Sequence, residues 1–145
     1  MATIRAYTTL EQSKKLAEIL PRESADMRYG YIAPYDYSDR MFDGGYDEIP
    51  YYRDFLKKNP DFSENEYDSE FPCWSLTALL EVLDDEITKD NEETLKLHIE
   101  KEECEYYLYY ENLDTNIFEL ETEMYDDLVD ACYELILKLN ELKML

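Results

Sequence analysis

Basic residues are scarce in this chain: Lys and Arg number 14 against 36 Asp and Glu, giving a formal net charge of −22 on 145 residues. Such a field repels phosphate groups, so we predict no direct binding of nucleic acid. The three cysteines have no CxxC spacing and histidine occurs once, at His98. This inventory argues against a disulfide framework and a zinc site, and it predicts a reducing, cytoplasmic environment.

Apolar runs are also short. No segment approaches the ~18 consecutive apolar residues of a membrane-spanning helix. The first twenty residues carry polar side chains at regular intervals, among them Thr8, Glu11 and Lys14, where a signal peptide needs an unbroken apolar stretch. We therefore expect neither a signal peptide nor an association with a membrane.

Catalytic motifs are missing too. The sequence contains no GxGxxG, GxxxxGK[ST] or HExxH pattern and no calcium-binding loop signature. His98 has alternating polar and apolar neighbours, which is typical of an exposed residue in a strand. We predict that the protein is not an enzyme, with no catalytic residue, no metal and no cofactor.

Apolar and aromatic residues are nevertheless abundant, at 45% and 14% of the chain. This composition separates the chain from disordered acidic tails and predicts one folded domain over residues 1–145. The net charge is several times the roughly 2–8 that solubility requires. We infer that a basic partner accounts for the excess charge, because a negative field attracts and orients such a partner.

Three helices are predicted from caps and apolar spacing. A capping box formed by Thr8 with Glu11, or by Thr9 with Gln12, opens the first helix, which ends at Pro21. Ser75 caps the second. Asp126 or Asp127 caps the third. In the second helix the apolar residues are Leu76, Leu79, Leu80 and Leu83; in the third they are Leu128, Ala131, Cys132, Leu135, Ile136, Leu139 and Leu142.

Three strands are predicted between the second and third helices, at residues 95–99, 104–111 and 118–121, with a polar turn at residues 84–91. Short connections favour an antiparallel meander. We therefore predict an α+β fold, a two-layer domain in which the meander packs against helices that include the amphipathic C-terminal one. Residues 22–71 are expected to form loops with a strand at Met27–Ala33 and a short helix that starts near Pro50 and buries Tyr52, Phe55 and Leu56.

Acidic residues concentrate in the second half of the chain. Between Glu81 and Asp127, eighteen Asp and Glu stand against three Lys. Glu119, Glu121 and Glu123 are expected to share one face of the third strand, where two-residue steps space side chains by ~6.8 Å. Together with acidic neighbouring strands, this row could imitate the charge density of a DNA backbone. The predicted acidic surface consists of Glu100, Glu102, Glu103, Glu105, Glu119, Glu121 and Glu123.

Tyrosines are the second candidate binding group, since a rigid ring with a polar tip is enriched at interfaces. The predicted aromatic interface consists of Tyr29, Tyr31, Tyr35 and Tyr37. It supports an alternative function, a structural protein that assembles as a homodimer or larger oligomer. A third alternative is a domain that sequesters a signal nucleotide in a tyrosine-lined pocket, made locally basic by Arg22, Arg28, Arg40 and Arg53.

Three stretches, residues 10–27, 72–80 and 130–139, resemble a family of small proteins from gut bacteria, their phages and their mobile elements, a family with no assigned activity. The resemblance implies a shared fold and transfers no site residue. Because phages encode small acidic inhibitors of nucleic-acid-binding defence enzymes, it also favours an inhibitor that mimics nucleic acid. We accordingly predict a binding protein that engages a basic surface of a nucleic-acid-handling host or phage protein in the host cytoplasm.

Overall fold

Residues 5–32, 34–37, 40–52 and 70–145 are described by a computed structural model. The chain divides into two compact units. Thr9–Ser75 form what we call the N-terminal unit, and Leu76–Leu145 together with Met1–Thr8 form the C-terminal unit. Helices and antiparallel sheets make up the described residues, so the predicted α+β class is confirmed. The single domain over residues 1–145 stays a prediction.

The N-terminal unit begins with helix α1 (Leu10–Ala17). Its predicted capping box is present in the Thr9 version: the Thr9 hydroxyl accepts a hydrogen bond from the Gln12 backbone N–H, and the Gln12 side chain accepts one from the Thr9 backbone N–H, at 3.1 and 3.0 Å. These two bonds satisfy amide groups that have no partner within the helix. A 3₁₀ turn (Arg22–Ser24) follows Pro21.

Short strands make up the rest of this unit. The strands are β1 (Met27–Tyr29), β2 (Tyr31–Ile32), β3 (Tyr35–Tyr37), β4 (Arg40–Phe42), β5 (Gly45–Tyr46), β6 (Tyr51–Tyr52) and β7 (Phe71–Cys73). Strand β1 lies between β6 and β7, while β2 pairs with β5 and β3 with β4, all antiparallel. The predicted helix near Pro50 is wrong at its start, because Tyr51 and Tyr52 form a strand and Tyr52 is 70% exposed. Its remainder, from residue 53, lies outside the described residues.

The C-terminal unit contains the predicted meander, extended by one strand. Its elements are α2 (Leu76–Val82), β8 (Glu86–Thr88), β9 (Thr94–Glu102), β10 (Glu105–Asn112), β11 (Phe118–Glu121) and α3 (Leu128–Glu141). The four antiparallel strands lie in the order β11, β10, β9, β8. The additional strand β8 replaces part of the predicted polar turn, because Ile87 pairs with Leu95 and is half-buried. A single apolar residue is too short a pattern to reveal a strand.

The core of this unit lies between the sheet and helix α3, which also contacts α2. Asp127 caps α3 as predicted, accepting a hydrogen bond from the Val129 N–H at 2.9 Å. Full burial of an aliphatic side chain stabilises the fold by about 1.5–3 kcal/mol. The buried residues of α3 are Val129, Ala131, Cys132, Leu135, Ile136 and Leu139; those of the sheet include Leu95, Leu108, Tyr110 and Leu120.

The cysteines divide into two environments. Cys73 and Cys132 are buried, as expected of core residues, and burial raises the pKa of the Cys132 thiol to about 12. Cys104, in contrast, is exposed. It lies in the tight turn between β9 and β10, next to Glu103, whose φ of 58° places it in the left-handed region. Residues in a two-residue turn project beyond the sheet, where no other element covers them, and this explains the exposure of Cys104.

Candidate protein-binding face of the four-stranded sheet

Side chains alternate between the two faces of a strand, so the buried residues of β10 determine which face is open. Leu108 and Tyr110 point toward α3, and the residues between them point to the other side. We call that other side the outer face. Given the pairing of the strands, it consists of Glu86, Thr88, Thr94, Lys96, His98, Glu100, Glu102, Glu105, Tyr107, Tyr109, Glu111, Phe118 and Glu121.

Stacked rings cross the middle of the outer face. The Tyr109 ring lies 4.9 Å from the His98 ring with an interplanar angle of 8°, and 4.2 Å from the Phe118 ring. Tyr107 stacks on Tyr109 along the strand at 5.7 Å. Aromatic pairs of this kind stabilise a protein by about 0.5–1.5 kcal/mol beyond their burial. The stack leaves Tyr109 only 4% exposed although it faces outward, whereas Phe118 is 47% exposed.

Glu100 is held in place by two tyrosines of this stack. The Tyr109 hydroxyl donates to Glu100 Oε1 at 2.7 Å, and the Tyr107 hydroxyl donates to Oε2. Hydrogen bonds to the charged form favour that form, so they lower the pKa of Glu100. The same bonds raise the pKa of both tyrosines, that of Tyr109 to about 12. Glu100 therefore carries a fixed and exposed negative charge.

The basic side chains of the outer face lie on strand β9. Lys96 is paired across the strands with Glu86 on one side and Glu111 on the other. His98 Nε2 lies 3.0 Å from Glu111 Oε2, so the two form an ion pair when the imidazole is protonated. Lys96 lies in the part of β9 that pairs with β8, and His98 lies at the middle of the strand. The end near the β9–β10 turn contains only carboxylates and tyrosines among the outer-face residues.

Carboxylates are directly opposed at that turn end. Glu102 is the cross-strand partner of Glu105, and Glu121 is the partner of Tyr109. Like charges placed opposite each other destabilise a sheet. The pKa of Tyr107 is raised first by its hydrogen bond to Glu100, with further contributions from the charges of Glu102 and Glu121. These glutamates therefore act together as one negative region.

The predicted row on the third strand is not regular. Strand β11 ends at Glu121, so Glu123 lies beyond it. A β-bulge makes Glu111 pair with Phe118, so Glu119 lies in the bulge. The Glu119 carboxylate is bound to Lys89 Nζ at 3.2 Å and to the Asn112 side chain at 3.3 Å. The expectation that Glu119, Glu121 and Glu123 share one face is therefore wrong, because a bulge interrupts the alternation that it assumed.

Of the seven glutamates predicted as an acidic surface, the structure brings Glu100, Glu102, Glu105 and Glu121 onto the outer face. Glu103 lies in the turn that joins two of these strands. The aromatic stack was not predicted from the sequence, although Tyr107 and Tyr109 lie on the same predicted strand as Glu105. The register that places them beside His98 and Phe118 depends on pairing between strands, which the alternation within one strand does not reveal.

The predicted aromatic interface is corrected at Tyr29, which is 3% exposed in the central strand β1 and has no ring surface to offer a partner. Tyr31 is 42% exposed and packs edge-on against Tyr46, with ring centroids 5.3 Å apart. The side chains of Tyr35 and Tyr37 lie outside the described residues.

The predicted basic residues occupy different surroundings. Arg28 is fully buried and donates to the Met27 carbonyl at 2.8 Å. Arg22 lines a cavity of about 360 Å³ with Tyr46, Phe71 and Trp74. The Arg40 side chain and all of Arg53 lie outside the described residues.

Comparisons with protein-family models, curated proteins and solved structures found no match to this chain. Functional assignment therefore depends on the geometry of the chain itself. In the ranges that the structure describes, no helix has the length and apolar character needed to cross a membrane. Within those same ranges, no group of His, Cys, Asp and Glu side chains is arranged to hold a metal ion.

Proposed function

We propose that this chain is a non-enzymatic binding protein whose outer face docks on a basic surface of another protein. The observation that carries this proposal is the opposition of Glu102 and Glu105 next to Glu100 and Glu121. Like charges placed opposite each other, as Glu102 and Glu105 are, weaken the free protein. A cationic partner would remove that repulsion on binding, so the arrangement favours complex formation over mere hydration.

The partner class that fits best is a nucleic-acid-handling protein, such as a defence nuclease in the host cytoplasm. Its binding groove would be lined with Lys and Arg that normally contact phosphates. On the outer face, Glu100 and Glu102 are ~6.8 Å apart along β9, and Glu102 lies ~4.8 Å across from Glu105 on β10. Such a cluster approaches the charge spacing of a nucleic-acid backbone more closely than one row does. The bound chain would block the groove as an inhibitor.

A charge-placement experiment tests this function. The outer-face variant changes Glu100, Glu102 and Glu121 to Gln; the control variant removes the same charge at three exposed sites of the same unit, Glu81, Glu92 and Glu141. Each variant, immobilised, is exposed to a host cytoplasmic extract, and captured nucleic-acid-binding proteins are displaced with duplex DNA. We expect the outer-face variant to lose this DNA-displaceable capture and the control to keep it.

Two outcomes would count against the proposal. Equal loss in both variants would mean that total charge, and not its placement, attracts the partner. Unchanged capture in both would show that the outer face is not the binding surface. Circular dichroism of each variant verifies that the fold is intact, which matters most at Glu100 because its carboxylate accepts hydrogen bonds from Tyr107 and Tyr109.

The cavity in the N-terminal unit favours a second candidate function, binding of a small planar anion such as a signal nucleotide. Its volume of about 360 Å³ falls within the range of about 300–1,000 Å³ for ligand sites. The Arg22 guanidinium supplies a positive group, while Tyr46 and Phe71 supply aromatic surface. A cyclic mononucleotide that raises the melting temperature of the wild type, and not that of Arg22→Gln, would support it.

A further inference from the structure

The geometry points to a preference of the outer face for arginine over lysine, with Glu100 as the carboxylate that receives the guanidinium. This inference rests on the proposed function, since it specifies which basic side chain the same face recognises. The proposed binding partner of the outer face is an arginine-rich segment of another protein.

The Glu100 carboxylate is held in a fixed orientation. Each carboxylate oxygen accepts one tyrosine hydroxyl, Oε1 from Tyr109 and Oε2 from Tyr107, while the residue remains exposed. A carboxylate has about four acceptor positions, so both oxygens keep capacity for a further donor. Two oxygens held side by side match the parallel N–H donors of a guanidinium, whereas an ammonium is a point charge that gains little from such an arrangement.

Aromatic rings lie on the same face as that carboxylate. Tyr107 is half-buried beside Glu100, its cross-strand partner, and the Phe118 ring, at the other end of the stack, is 47% exposed. A guanidinium is planar and weakly hydrated, so it stacks on aromatic rings more readily than a lysine ammonium does. A partner arginine can therefore contact a ring face and a carboxylate on the same surface.

Charge complementarity excludes the other occupants. A second copy of this chain would bring its own outer face or another part of a surface with a net charge of −22. A phosphate-bearing ligand would meet Glu100, Glu102, Glu105 and Glu121 without a lysine at the turn end of the face. A cationic protein segment is the occupant that this field attracts.

The test titrates the full chain with two fluorescent probes, an arginine homopeptide and a lysine homopeptide of equal length, by fluorescence anisotropy at ~0.15 M salt. We expect the wild type to bind the arginine peptide about tenfold more tightly, in line with an additional charge-assisted hydrogen bond. The double variant Tyr107→Phe, Tyr109→Phe keeps the net charge and removes both hydroxyls from Glu100. It should bind the two peptides equally.

A matched control removes a tyrosine hydroxyl elsewhere. Tyr125 donates to Glu134, so Tyr125→Phe breaks one tyrosine–glutamate bond without affecting Glu100. This control should keep the arginine preference. Because Tyr109 is buried, the single variant Tyr107→Phe serves as a second test on a half-buried residue, and thermal melting verifies that each variant is folded.

The results of these titrations distinguish the arginine preference from the proposed function on which it rests. Equal affinity of the wild type for both peptides would overturn the arginine preference while leaving a charge-based binding face intact. An arginine preference that survives in the folded double variant would overturn the role of Glu100. Failure of the wild type to bind either peptide would overturn both the inference and the proposed function.

Discussion

The two faces of the four-stranded sheet share the same backbone but differ in the burial and the charge of their side chains. On the inner face, Leu95 and Leu108 are fully buried, as is the ring of Tyr110. On the outer face, Glu100 and Glu102 are exposed. The inner residues hold the sheet to helix α3, while the outer residues contribute mainly charge. The fold therefore constrains one set of alternating positions and leaves the other free for a binding function.

Polar groups show the same contrast. Asn112 is fully buried at the end of β10, and its contacts are complete: its side-chain amide donates to Glu93 at 2.7 Å, and its oxygen accepts the Asp114 N–H at 2.9 Å. At the turn end of the outer face, Glu102 and Glu105 oppose each other instead. Satisfied buried groups stabilise the folded state, while opposed exposed charges favour a partner.

The largest expected effect comes from breaking the inner face. Leu108→Ala removes a fully buried side chain and leaves a cavity against α3, so the free energy of unfolding should fall by about 2–5 kcal/mol in urea denaturation. Glu105→Gln on the outer face of the same strand is the control and should change it by no more than about 0.5 kcal/mol. Similar losses in both variants would show that the two faces do not divide structure from function as described.

An intermediate effect is expected at high pH, where outer-face tyrosines titrate. The pKa of Tyr109 is raised to about 12 in the folded protein, against 10.0 for an unperturbed tyrosine. The unfolded chain therefore loses this proton first, so the contribution to stability is complete below about pH 10 and is lost as the pH rises to about 12. Urea denaturation between pH 9 and ~12 should show this decline.

Tyr109→Phe sharpens that measurement, because it removes one titrating group from the outer face. The decline above about pH 10 should become shallower in this variant, with a remainder from Tyr107, Tyr110 and Tyr125, whose pKa values are also raised. An identical pH profile in both proteins would contradict the hydrogen bond between Tyr109 and Glu100.

The smallest effect concerns salt. Raising the ionic strength to ~0.15 M shortens the Debye length to ~8 Å and screens repulsion among carboxylates, so the melting temperature should rise. The outer-face variant at Glu100, Glu102 and Glu121 should show a smaller rise than the equal-charge control at Glu81, Glu92 and Glu141. A flat melting temperature in the wild type would mean that its carboxylates are already neutralised.

Local patterns predicted much of the fold. The caps of α1 and α3 were predicted correctly, because a cap depends on only a few adjacent residues: Thr9 with Gln12, and Asp127 with Val129. The spacing of apolar residues located α3 and three strands of the meander. Strands β6 and β8 were not predicted. Each is short, and each forms because a partner strand supplies its hydrogen bonds.

The candidate site was predicted only in part for the same reason. Its composition, with Glu100, Glu102, Glu105 and Glu121, followed from the concentration of acids in one region of the chain. The burial of Tyr29 and the displacement of Glu119 did not follow, because burial and a β-bulge depend on neighbours that are distant in sequence.

The sequence by itself determined the negative field, the helix caps and the alternation of apolar residues, because composition and short-range spacing are properties of the chain alone. Tertiary structure decided which residues meet. Strand register placed Tyr107 and Tyr109 beside Glu100, and it set Glu102 opposite Glu105. A shift of one residue would have turned these side chains toward the core, so the outer face exists only because packing against α3 fixed that register.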